Sequence, residues 1–246
     1  MIRVIPQLLI PLAVLTGCDN SDRGPAAGAS SRAPATQGTG IVRGRVTLSG
    51  WTAPLPPPMT IKCGDQTLTM RDEAVVVGPD QALKGVVVWI SDAPPSGAVV
   101  SQQPVVLDQQ GCVYRPHVVA LRVGQPLRVR SSDQTLHNVH MLTEANAPVN
   151  LGMMKPAEKD VRFKVPERFR VRCDVHPWMS ANVAVFEHPY FAVSDENGRF
   201  EITGLPAGPY TVKAWQERFG ELDRRITVHE TQPADLTLVF GPPAAN

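Results

Sequence analysis

Cys173-Asp174-Val175-His176-Pro177-Trp178-Met179 puts a thiol, an imidazole and a thioether on one short segment. Soft sulfur suits Cu(I), imidazole tolerates both copper states, and two His with one Cys and a weak axial Met make the trigonal site of a one-electron copper carrier. Zinc would also accept His and Cys, but Met is a poor zinc ligand. The segment lacks one imidazole, and Gln134-Thr135-Leu136-His137-Asn138-Val139-His140 offers two upstream. The plain alternative is a fold without metal, in which Met179 and Trp178 only cap a core.

Strands must aim these residues inward. In Phe169-Arg170-Val171-Arg172-Cys173 the apolar residues alternate with arginines, so Phe169, Val171 and Cys173 share one face and the arginines the other. Cys173 is therefore expected to enter the core where its strand ends. Val161, Phe163 and Val165 alternate in the same way and predict a neighbouring strand. After Gly40 nearly every apolar stretch is short and rich in β-branched residues, among them 41–48, 86–90, 105–107, 118–123, 182–186, 210–215 and 236–240. Gly, Pro, Asn and Asp separate these stretches, and no helical period is sustained. The expected fold class is all-β, built of sandwiches.

A strand leading to a His, combined with a downstream loop carrying Cys, His and Met, resembles the cupredoxins, the plastocyanin and azurin group. The ligand spacing, two residues from Cys to His and two from His to Met, is similar to the compact amicyanin type. The likeness spans 115–186 and includes Val123-Gly124-Gln125-Pro126, His137-Asn138-Val139-His140 and Gly152-Met153-Met154-Lys155. It implies a Greek-key sandwich with one type 1 copper, held equatorially by His137, Cys173 and His176 and axially by Met179. His140 has the opposite strand parity from His137. The resemblance further implies that Asn138 bonds across to the ligand loop. The family usually has Ser or Thr after the Cys, whereas this chain has Asp174, and an ionised carboxylate near the thiolate would favour Cu(II) and lower the potential. Pro177 and Trp178 flank His176, the ligand nearest the surface in this family, and are expected to form a small docking patch for a redox protein partner; Trp178 folded into the core is the other reading. Met153-Met154 is expected to pack a core.

A second resemblance lies near the end. Asp195-Glu196-Asn197-Gly198-Arg199-Phe200-Glu201-Ile202, followed by Gly204-Leu205-Pro206-Ala207-Gly208-Pro209-Tyr210, is similar to the carboxypeptidase regulatory-like, or transthyretin-like, domain, with hairpin turns at Asn197-Gly198 and Pro206 to Gly208. Such domains usually begin with strands like Ile41-Val42-Arg43-Gly44-Arg45-Val46-Thr47 and Gly85-Val86-Val87-Val88, which lie far upstream here. The expected arrangement is a transthyretin-like sandwich split between 41–100 and 187–241, with the cupredoxin domain at 101–186 inserted. A separate N-terminal sandwich is the alternative.

Residues 1–17 carry one charge, Arg3, and a short apolar run ending in Leu15-Thr16-Gly17-Cys18. The run is too short to span a bilayer and reads as a signal peptide whose end looks like a bacterial lipobox, with lipidation at Cys18. Residues 18–40, rich in Gly, Ala, Ser and Pro, read as a flexible tether with an end-to-end distance of about 25 Å. Export and lipidation leave three cysteines. Cys173 has ligand neighbours, so Cys63 and Cys112 are the disulfide candidates, with two separate buried thiols as the alternative.

Lys and Arg total 24 against 23 Asp and Glu, a balance that argues against nucleic acid as partner. The expected protein is lipid-anchored to a bacterial membrane, exported to the periplasm or cell surface, and moves single electrons through one copper ion. No enzyme activity is expected, since four ligands leave no open position for substrate. A binuclear centre would need a second Cys in the loop, and a nitrite reductase would need further His clusters, whereas His117, His188 and His229 are scattered. The other readings are a copper-binding or trafficking lipoprotein and a non-redox interaction module, the latter binding glycan with Trp215 as its aromatic candidate.

Overall fold

The alternating apolar pattern resolves, in a computed structural model that describes residues 38–242, into twenty strands and one 3-10 turn, Pro79–Gln81. The expected signal segment, Cys18 and nearly all of the tether lie outside the described residues. The first strands are β1 (Gly40–Leu48), the hairpin β2 (Met59–Cys63) and β3 (Gln66–Met70), β4 (Val76–Val77), β5 (Leu83–Lys84) and β6 (Val87–Ile90). The middle strands are β7 (Val105–Gln109), β8 (Tyr114–Arg115), β9 (Val118–Arg122), β10 (Leu127–Ser131), β11 (His137–Met141), β12 (Val149–Met153), β13 (Ala157–Val161), β14 (Glu167–Arg172) and β15 (Ser180–Phe186). The last are β16 (Phe191–Val193), β17 (Arg199–Leu205), β18 (Gly208–Gln216), β19 (Gly220–Val228) and β20 (Ala234–Phe240).

The middle strands form two sheets, ordered β13-β10-β7-β8 and β12-β11-β14-β15-β9. Their inner faces enclose one core that includes Leu107, Leu127 and Val129 from the first sheet and Val139, Phe169, Val171 and Val183 from the second. β14 follows the expected parity, with Phe169 and Val171 buried and Arg168, Arg170 and Arg172 exposed. The expected strand at 161–165 is not present. The strand instead covers Ala157–Val161, pairs with β10 in the opposite sheet, and is almost wholly exposed. Phe163 nevertheless enters the core from the following loop, and Val165 is 37% exposed. The alternation there reflects one plug residue flanked by an edge strand and a turn.

Seven of the remaining strands form sheets ordered β17-β1-β20 and β16-β6-β18-β19 around a second core that includes Val42, Val46, Val88, Ile90, Phe200, Ile202, Val212 and Leu238, while β4 pairs with β5 and the β2–β3 hairpin packs on the first core. β1 pairs antiparallel with β17 and parallel with β20, from Val42 opposite Ala234 to Leu48 opposite Phe240. β6 lies between β16 and β18, with Trp89 opposite Phe191 on one side and Lys213 on the other. Strands preceding residue 100 are therefore hydrogen-bonded between strands following residue 190. The outer faces of the two sandwiches meet in a small cluster of Val87, Val118 and Ala184 with Trp89, Phe186 and Trp215 around them.

Candidate metal centre

The buried strand β11 begins at His137, and the loop from Cys173 to Met179 joins β14 to β15 in the same sheet. Two backbone bonds close this loop, from the Cys173 N–H to the Met179 carbonyl (3.1 Å) and from the Met179 N–H to the His176 carbonyl (2.9 Å). Core parity buries Cys173, the free thiol among the described residues, and the closed loop folds Met179 into the same core cluster. His137 is also fully buried, whereas His176 is half-buried.

His137, Cys173 and His176 each turn one donor atom to a common point, all within 4.8 Å of one another. Nδ1 of His137 lies 3.0 Å from Nδ1 of His176, which in turn is 3.8 Å from Sγ of Cys173. Burial raises the Cys173 thiol, but His137 and the N–H groups of Asn138, His176 and Val175 outweigh it, so the thiol lies below its ordinary value. Burial lowers His137, and its bonds to Cys173 and Asp133 reverse the sign, leaving it raised. Burial lowers His176, reinforced by the neighbouring His137. Two soft or borderline nitrogens and an easily ionised thiol, beside a buried thioether residue on the same loop, fit copper and suit zinc less well.

The residues around this point show what the sequence expectations captured and what they missed. Asn138 does bond across to the ligand loop: its Oδ1 accepts from the Asp174 N–H (2.6 Å) and its Nδ2 donates to Asp174 Oδ2 (2.8 Å). Asp174 also receives Nδ2 of Asn150 (3.2 Å), Nδ1 of His140 (3.1 Å) and Nε of Arg172 (2.9 Å). His140 above all, with Asn138 and Asn150, holds the Asp174 carboxyl down at about 2 against the opposing effect of burial. Its negative charge is thus paired locally with Arg172, and His140 is engaged with Asp174 rather than with the donor cluster. Met153 is buried and its sulfur accepts from Nε2 of Gln109 (3.1 Å), but Met154 is 75% exposed, so only the first of the pair packs the core.

Trp178 is half-buried, with its ring 5.1 Å from that of His176 and its Nε1 donating to the Cys112 carbonyl (3.0 Å). It is a strut between the ligand loop and the Cys112 loop, while Pro177 is exposed. Pro177, Leu142, Arg170, Arg172 and Asp174 line an open groove of 450 Å³ that reaches Cys173.

Cys63 and Cys112 form a disulfide that ties the β2–β3 hairpin to the loop after β7. It sits directly behind His137, with Cys112 Sγ 3.9 Å from His137 Nε2. Asp133 stands in the same place. Its Oδ2 lies 2.9 Å from His137 Nε2 and accepts from the Cys112 N–H (2.9 Å), and its Oδ1 accepts from the Gly111 N–H (2.8 Å). Cys63, Cys112, Asp133 and His137 form a second convergent group, but its two sulfurs are already joined to each other. Tyr114, buried and donating its hydroxyl to the Asn138 carbonyl, is the other residue that the sequence did not single out. Neither is repeated or periodic, and no sequence pattern marks either as a partner of the site.

The carboxypeptidase regulatory-like domain family matches residues 174–240. That span begins inside the ligand loop and includes β15, which belongs to the middle sandwich, and it omits β1 and β6, which complete the outer one. Among curated proteins no sequence matches this chain. Among solved structures, the copper-containing nitrite reductase of Thermus scotoductus SA-01 is similar over 40% of this chain and 26% of its own length, at 18% identity and a TM-score of 0.34. The Cu(I) form of one amicyanin mutant and the oxidized state of another are each similar over 40% of this chain and 97% of their own, at 24% identity and a TM-score of 0.32. The chain spans about a quarter of the nitrite reductase. The described residues form an all-β protein of two sandwiches, and the carboxypeptidase regulatory-like match falls mostly on strands β16 to β20 of the outer one.

Proposed function

We propose that this protein is a mononuclear type 1 copper protein that passes single electrons, exported and anchored to a bacterial membrane by lipid at Cys18. The observation that carries the reading is the convergence of the His137 and His176 Nδ1 atoms and the Cys173 thiol at one end of a sandwich core. Copper bound there supplies a metal that changes by one electron. The chain's own contribution is to hold the donors. Cys173 offers a thiol lowered by His137 and the surrounding amides, and Met179 closes the loop from within the core. His176, the half-buried ligand, lies nearest the surface and is the exit toward a redox protein partner. We propose electron transfer alone and derive no catalytic step at this site.

The test is a Cu(II) titration of residues 19–246. The expected result is an intense visible thiolate-to-copper band that saturates at one equivalent, is absent in Cys173→Ala, and cycles reversibly with small redox mediators. A colourless protein that takes up Zn(II) as well as Cu(II) would overturn the reading. Tight Cu(I) uptake with no stable blue form would point instead to copper trafficking.

A further inference from the structure

His137 has two ring nitrogens with different tasks. Nδ1 faces His176, and Nε2 faces Asp133 on the opposite side of the ring. His137 is 0% exposed and the Asp133 side chain 14%, so little water competes for that contact. Asp133 cannot swing away, because both of its oxygens are also held by the Gly111 and Cys112 amides. Those amides present themselves because Gly111 and Cys112 both adopt positive φ (69° and 55°), which turns the loop back on the carboxylate. The disulfide pins Cys112 to the β2–β3 hairpin, and Trp178 grips the Cys112 carbonyl from the ligand loop.

We propose that Asp133 is a positioning residue for His137, and that the Cys63–Cys112 staple holds Asp133 in place. In a neutral imidazole only one nitrogen carries the proton. A carboxylate is acceptor only, so beside Nε2 it keeps the proton there and leaves the Nδ1 lone pair turned to Cys173 and His176. The same negative charge makes Nδ1 a stronger donor and favours the more highly charged Cu(II). The copper part of this inference rests on the reading proposed above; the tautomer part does not.

Two measurements on the full chain therefore separate them. In the copper-free protein, ¹⁵N NMR of His137 in its neutral form is expected to show the Nε2–H tautomer, and Asp133→Leu to shift the population toward Nδ1–H. In the copper-loaded protein, Asp133→Asn retains an acceptor oxygen but not the charge. It is expected to weaken Cu(II) binding by about 10- to 100-fold, to weaken Cu(I) binding less, and so to raise the reduction potential. Asp133→Glu should recover part of the loss. Cys63→Ser with Cys112→Ser should move tautomer and Cu(II) affinity in the same direction by a smaller factor. An unchanged tautomer in Asp133→Leu, or an Asp133→Asn protein with an intact disulfide, native unfolding temperature and wild-type Cu(II) affinity, would overturn the role of Asp133. An unchanged tautomer and affinity in the double serine variant would overturn the role of the staple. If the wild-type protein takes up no copper, the proposed function fails while the tautomer measurement still decides the positioning of His137.

Discussion

Asp174, next in the chain after Cys173, stands at the centre of a local polar network. A carboxyl held at about 2 in the folded chain, against an ordinary 3.8, favours the native state while it is ionised. Since the folded value is depressed, the contribution is fully present above the ordinary value and is lost as pH falls through about 2. His140 is the largest cause, so His140→Gln should move the Asp174 carboxyl back toward its ordinary value. A ¹³C NMR titration of the Asp174 side chain in both proteins checks this, and identical midpoints would show that Asn138 and Asn150 suffice. The donor cluster was legible because Cys173, His176 and Met179 sit at a fixed short spacing. Asp133 was not, because its bond to His137 depends on a bend that carries it behind the ring, and i,i+4 spacing means nothing in an extended segment.

At the scale of the element, legibility followed burial. β14 could be read from its alternation because one face is packed and the other is in water. β13 could not: Ala157 to Asp160 are all exposed on an edge that pairs only with β10, and no apolar period marks an edge strand with nothing to cover. The β2–β3 hairpin was missed for a related reason. Only Ile61 and Cys63 of β2 are buried, and the hairpin is fixed to the core as much by the disulfide as by apolar area. An isolated two-stranded hairpin is marginal in water. The sequence separation of 49 between the bridged cysteines corresponds to a loop-closure stabilisation of about 4 kcal/mol in the chain-entropy model. Cys63→Ser with Cys112→Ser is therefore expected to lower unfolding free energy by about 2–4 kcal/mol in urea melts of the copper-free protein. Hydrogen exchange should rise first in residues 59–70. A loss near zero, with unchanged protection of the hairpin, would mean that Ile61 and Leu68 alone secure it.

At the scale of the molecule, the outer sandwich is assembled from both ends of the described chain. β1 separates β17 from β20, and β6 separates β16 from β18, so a chain starting near residue 101 would contain four strands with no one to pair with at their centre. Each would expose a row of backbone donors and acceptors along with residues such as Phe200, Ile202, Val212 and Leu238, which the native fold buries. The junction adds a further tie. Arg168 of β14 lies 4.4 Å above the Trp215 ring and 6.0 Å from that of Trp89, and it also pairs with Glu221 (3.5 Å). Trp215 is half-buried there, with the Arg168 guanidinium over its ring. The connection that bridges β6 to β7 carries no strand and includes Val99 at 92% exposure, the kind of segment where a chain can be cut with little loss of packing. A protein cleaved there is expected to remain one particle on gel filtration under native conditions and to separate into its pieces only in denaturant. The piece 101–242 expressed alone is expected to aggregate or to lose ordered NMR signals for 190–240, and to regain them when the piece 38–100 is added during refolding. If 101–242 alone gave a dispersed spectrum throughout 190–240, β1 and β6 would be additions to a self-sufficient domain rather than its central strands.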